Sequence, residues 1–293
     1  MTAESISTIM IDTDKRTTHV LASALKPTLL LFLLFFPLTF MEMFLHEAGH
    51  ALFNLSEGVP IHFLYAHPFS FLGFVRPMAD YYSIWEHASG TMLEVFVSIL
   101  IFILLWKHRS FYTLPFLMIF PWTAVYDGIG GVFDILGHSG DYHNIMQITG
   151  LPAAGFYIMN LMLAVVGIFF FISLLPLLGM LPEDRKTLFV LPVGMLLYSA
   201  LGLMIAYLFV PGSPIDLRYH LAPEIIQSAY YRPLFMVLIG MLLAVIYVTL
   251  YRRFYKRLPE ALRTEKVNLS WRALWYPGLL FTFSVILGLM VIL

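Results

Sequence analysis

Residues 27–54 read PTLLLFLLFFPLTFMEMFLHEAGHALFN. From Leu29 to Met41 only Pro37 and Thr39 interrupt the apolar side chains. A helix needs about 20 such residues to cross a bilayer, so the stretch is predicted to be a membrane span. Its far end carries His46, Glu47 and His50 within five residues. Ionisable groups inside a span are costly and mark functional sites, which makes packing a poor explanation for three of them.

The spacing supplies a chemistry. Residues four apart share one face of a helix, so the imidazoles of His46 and His50 can reach the same metal ion, with Glu47 beside them. Zinc bound in this way lowers the pKa of water, and Glu47 is placed to act as general base and then as acid toward a leaving amine. The reaction class implied is hydrolysis, with a peptide bond as the substrate linkage.

The rest of the 293 residues agree with a membrane setting: 60% are hydrophobic and only 12% charged, and the mean hydropathy is +0.83. Soluble domains carry about a quarter charged residues. There is no cysteine, which excludes disulfides and thiolate ligands and leaves His, Asp and Glu to hold any metal. A formal net charge of −1 gives no sign of a nucleic-acid partner; the partners expected are the lipid bilayer and a protein substrate.

Outward from residues 27–54, further apolar runs fall at 90–106, 112–133, 152–178, 188–210, 233–251 and 273–293. The fold class expected is therefore all-α, a polytopic transmembrane helical bundle of about seven spans. Residues 1–26 read as a polar N-terminal tail, 27–151 as the metal-bearing membrane core, and 152–293 as additional transmembrane helices. Between the first two spans, Phe63–Val75 is aromatic, broken by Gly and Pro, and too short to cross. It is expected to be a re-entrant or strand-like segment.

Lys and Arg in the connections set the orientation. With the N-terminus on one side, 14 of the 17 basic residues share that side. This is expected to place the N-terminus of an integral cell-membrane protein in the cytoplasm, and the HEAGH end of the first span toward the extracytoplasmic face. The connection after the third span, 134–151, returns to that same face.

A catalytic zinc site takes three protein ligands and leaves one position open. The third is sought in Gly137-His138-Ser139-Gly140-Asp141-Tyr142-His143-Asn144. Asp141 is favoured, since a carboxylate following Gly140 at the start of a helical turn can approach the first span closely; His143 and His138 are the alternatives. Glu42, Glu94 and Asp134 are acids placed to support the ligands from behind, Glu42 by accepting a ring N–H four residues before His46.

These residues resemble those of the site-2 protease family of intramembrane zinc metalloproteases. His46-Glu47-Ala48-Gly49-His50-Ala51-Leu52 followed by Gly58-Val59-Pro60-Ile61 is similar to that family's metal helix and the turn after it. Ala88-Ser89-Gly90-Thr91-Met92-Leu93-Glu94 stands where the family has a small-residue stretch, and Phe133 to Ile145 where it has a segment ending in Asp-Gly. The resemblance covers about residues 39–150. It implies Asp141 as third ligand, with Asp127 of the pair Asp127-Gly128 as an alternative, and a transmembrane or membrane-associated protein substrate. A different class also suits intramembrane acids and histidines: a non-proteolytic multi-pass protein, either a cation transporter or a metal-binding assembly factor.

Overall fold

A computed structural model describes the backbone of residues 3–66, 73–77, 83–138, 140–209 and 223–290, and side chains in most of that range from residue 23 onward. The first helix, α1, runs from Ala3 to Ser56. The polar residues expected to form a separate tail therefore belong to the same helix as the first span. No Gly or Pro occurs between Ala3 and Lys26, and the helix runs on through Pro27 at the junction.

Helix α1 is the axis of the bundle. Leu30, Leu31, Leu34, Phe35 and Phe36 are buried, and aromatic rings close on this stretch from several directions. Phe35 meets Trp122 edge-on with centroids 4.9 Å apart, while Phe36 meets both Tyr198 and Phe281 at 4.8 Å. The hydroxyls of Thr39 and Tyr198 lie 2.7 Å apart in a hydrogen bond. Between helices in lipid, close packing and such polar contacts hold the structure together, because lipid tails are as apolar as the side chains they would replace.

Around α1 stand α2 (Ile84–Leu105), α3 (Leu114–Leu117) continuing into α4 (Ile119–Gly137), α5 (Gly140–Thr149), α6 (Ala153–Leu174), α7 (Thr187–Phe209), α8 (Pro223–Ile246) and α9 (Trp275–Met290). Among the described residues, five helical stretches are long and apolar enough to cross a membrane: 23–56, 84–108, 114–137, 153–178 and 233–255. The runs expected as the fifth and seventh spans are helical too, in the 23 residues of α7 and the 16 described residues of α9. The second span begins six residues earlier than its apolar run suggests, because Ser83 caps the helix by accepting a hydrogen bond from the Trp85 N–H and Glu86 and His87 form its first turn.

Strands β1 (Ile61–Ala66) and β2 (Gly73–Pro77) pair antiparallel between α1 and α2, with an irregularity between Ile61 and Phe63. The segment between them, 67–72, within the stretch expected to be re-entrant or strand-like, lies outside the described residues, as does Arg218, one of the three basic residues counted on the far side from the N-terminus. Val59 N–H bonds to the Asn54 carbonyl, which turns the chain from α1 into the hairpin. Both strands pack on α1.

Candidate metal centre

The last turns of α1 and the second turn of α2 touch backbone to backbone. A methyl group on Gly49 would strike the Ser89 carbonyl oxygen and lie 2.8 Å from the Gly90 Cα. One on Gly90 would land on Nε2 of His50 and 2.9 Å from Nε2 of His46. The space in front of the two imidazoles thus exists because residue 90 has no side chain.

Three donor atoms meet in that space. His46 Nε2 lies 3.1 Å from His50 Nε2 and 3.1 Å from Asp141 Oδ2, and His50 Nε2 lies 3.3 Å from the same oxygen. Tetrahedral zinc with bonds of 2.0–2.2 Å separates its ligand atoms by about 3.3–3.5 Å, so small outward shifts complete the geometry. The outer ring nitrogens are already engaged. His50 Nδ1–H donates to the Glu86 carbonyl at 2.7 Å, and His46 Nδ1–H donates to Glu94 Oε2 at 3.2 Å. With Nδ1 of each ring engaged outward, Nε2 of both rings and a carboxylate oxygen converge on one point, an arrangement suited to a cation. The donor set fits zinc.

Asp141 comes from α5, whose start is built for this approach. Gly140 has φ +80, a conformation open to glycine, and a methyl group there would run into the Asp134 carboxylate. Asp134 in turn accepts the Tyr142 backbone N–H, capping α5 and fixing where Asp141 points. The second oxygen of Asp141, Oδ1, receives His87 Nδ1–H at 3.0 Å. Burial pushes the Asp141 carboxyl up, but the surrounding imidazoles of His46, His50 and His87 outweigh it and hold the group well below the usual carboxylate range. A metal requires the carboxylate as its anion, which is the direction of this shift.

Glu47 is buried one residue along from His46, and both line a cavity of about 260 Å³ together with Asp141, Thr91, Tyr126 and Tyr142. Glu42, Glu94 and Asp127 line the same cavity as a second acidic group, with one oxygen from each within 4.8 Å of the others. Glu94 Oε1 and Asp127 Oδ2 have no hydrogen-bond partner.

The residues singled out from sequence separate into distinct places. His46, His50 and Asp141 converge. His138 and His143 face each other instead, with ring centroids 5.4 Å apart, and neither joins the donor cluster. His138 is exposed at the left-handed cap of α4, which turns it away. Asp127, the other alternative ligand, joins Glu42 and Glu94 rather than the imidazoles. The ring N–H expected to reach Glu42 goes to Glu94, while Glu42 Oε2 accepts Trp122 Nε1–H at 2.9 Å. Sequence reasoning missed His87 altogether. Its signal was a histidine four residues after the capping Ser83, at the polar mouth of an apolar helix.

A scan against protein-family models and searches of curated proteins and of solved structures find no match to the chain. Its own geometry defines its class: an apolar helical bundle with several helices of membrane-crossing length, carrying a half-buried His-His-Asp donor cluster next to a glutamate.

Proposed function

We propose that the chain is an intramembrane zinc metalloprotease, similar in its site to the site-2 protease family, that hydrolyses peptide bonds of membrane-associated or transmembrane proteins. The observation that carries this reading is the mutual spacing of 3.1–3.3 Å between His46 Nε2, His50 Nε2 and Asp141 Oδ2, with Glu47 lining the cavity in front of them. Zinc held by those three residues would supply Lewis acidity, polarising a scissile carbonyl and easing loss of a proton from water.

The chain's own residues do the remainder. The Glu47 carboxylate accepts the proton of the attacking water and returns it to the departing amine nitrogen. Glu94 and the Glu86 carbonyl hold the two imidazoles in orientation through their outer N–H groups. The half-open cavity, lined by acidic and hydroxyl groups, admits water to an otherwise apolar bundle. The protein is an integral membrane protein with a cytoplasmic N-terminus and seven spans, α7 and α9 supplying the crossings beyond the five membrane-length stretches. The positive charge bias supports placing the metal end of α1 toward the extracytoplasmic face.

One feature favours the alternative of a cation transporter or metal-binding assembly factor: the buried trio Glu42, Glu94 and Asp127 adjoins the donor cluster, as successive cation sites in a path would. Both readings are separated by one experiment. Purified wild type and Glu47→Gln are loaded with zinc, quantified for metal, and reconstituted with a cleavable single-span reporter. Equal metal content with cleavage lost in Glu47→Gln is the expected result; cleavage that survives this substitution, or wild-type protein that moves zinc across vesicles without cutting, overturns the protease reading.

A further inference from the structure

At the start of the membrane-length part of α1, away from the donor cluster, three lysines surround a second cavity, of about 300 Å³, lined by Lys26, Lys186, Lys266, Asn268 and Trp271 together with the Gly179 turn. From Lys26 to His50 is 24 residues, or about 36 Å of helix, so this cavity is independent of the metal centre. Four parts of the chain meet there: the start of the first candidate span, the end of the span closing at Leu178, the residue before α7, and the extended segment before Trp271. Val267 N–H donates to the Pro176 carbonyl, which ties that segment to the end of α6.

Charge is unbalanced in this place. The one acid paired with these lysines among the described residues is Asp184, and a single oxygen of it, Oδ2, serves Lys266 at 3.5 Å, Lys186 at 3.9 Å and the Leu181 N–H at 3.1 Å. Lys26 has the Leu269 carbonyl and the face of Trp271, whose centroid is 5.9 Å from Nζ. Each ammonium has three N–H donors, so most of their donor capacity is left for the cavity. Burial, then repulsion from Lys266 and Lys26, pushes the Lys186 ammonium below its ordinary range against the pull of Asp184. Three ammonium groups gathered around a space at the level where two membrane-length helices begin and end suit an anion at headgroup depth. Trp271, about half exposed, is the residue type that sits at that level.

We propose that this cavity binds a phosphate group, as an anionic phospholipid headgroup or as a soluble phosphorylated molecule. A phosphate oxygen set can accept from all three lysines at once, replacing mutual repulsion with charge-assisted hydrogen bonds.

The test uses full-length protein in neutral detergent, with thermal stability and native mass spectrometry as readouts. Phosphatidylglycerol, phosphatidylcholine and inorganic phosphate are titrated separately into wild type, into a variant carrying Lys26→Gln, Lys186→Gln and Lys266→Gln, and into a control carrying Arg252→Gln, Arg253→Gln and Lys256→Gln. The control removes as much charge without touching the cavity. A saturable response of wild type and control to phosphatidylglycerol alone, with the midpoint shifted by about tenfold or more in the cavity variant, supports the lipid source. The same pattern with inorganic phosphate supports the soluble source. Two single substitutions guard against a triple variant that does not fold: Lys186→Gln should weaken binding and Asp184→Asn should strengthen it. A wild type that responds to neither probe, or cavity and control variants that respond alike, overturns the proposal.

Discussion

His87 Nδ1 lies 3.0 Å from Asp141 Oδ1, on the side of the carboxylate away from the oxygen that faces His46 and His50. The first turn of α2 thereby holds two of the three clustered donors: through His87 it fixes Asp141, and through the Glu86 carbonyl it fixes His50. Removing an outer-shell partner of this kind typically costs 10–100-fold in metal affinity, or about 1.4–2.7 kcal/mol. His87→Ala is expected to lose zinc affinity in that range while remaining folded, and His87→Gln, whose amide can still donate to Oδ1, should recover part of it. Competition with a chelator of known affinity measures both. Unchanged affinity in His87→Ala would show that Asp141 needs no support from α2.

The identity of the third ligand gives a second expectation. Asp141 shares the donor cluster and His143 pairs with His138. Asp141→Ala should therefore purify with little or no zinc, whereas His143→Ala should retain about the wild-type amount. Metal analysis of the two proteins, prepared side by side, decides it, and full zinc occupancy in Asp141→Ala would remove that residue from the site.

The first motif was the most legible part of this chain, because His46, Glu47 and His50 depend only on helix periodicity, and any helix over 27–54 puts them together. Asp141 required one tertiary step, the return of the third span to the same end of the bundle, which alternation of spans provides. His87 and the division of labour between Glu42 and Glu94 were not legible. Glu42 and His46 share a helical face by spacing, yet the Trp122 indole occupies Glu42 and α2 brings Glu94 to the ring nitrogen instead. Which acid wins is decided by how α2 and α4 pack on α1, and local periodicity carries no information about that. The start of α1 was hidden too: polarity and Pro27 suggested a tail ending there, while the helix continues through that proline.

A third expectation concerns Gly90. Its missing side chain leaves the space that His46 and His50 face, and an added methyl would collide with both imidazoles. Gly90→Ala should abolish zinc binding more completely than His87→Ala does, because it fills the metal position itself rather than loosening a support. The helix around it should tolerate alanine, which has the higher helix propensity by about 1 kcal/mol. Circular dichroism and metal analysis on one preparation separate the two effects; a folded Gly90→Ala that still binds zinc would mean that α1 and α2 can move apart.

The last expectation sets Glu94 against Glu42. Glu94 Oε2 accepts the His46 Nδ1–H, so a glutamine there can still present an oxygen to the ring but without charge, whereas alanine leaves the ring N–H unmatched in a buried place. Zinc affinity should fall in the order wild type, Glu94→Gln, Glu94→Ala, with the charged acceptor raising the basicity of the ligand imidazole. Glu42 touches the Trp122 indole and not the imidazole, so Glu42→Gln should leave zinc affinity within about threefold of wild type, its amide oxygen still accepting from the indole. A larger loss from Glu42→Gln than from Glu94→Gln, measured by the same chelator competition, would assign the tautomer-fixing role to Glu42 and contradict the observed pairing.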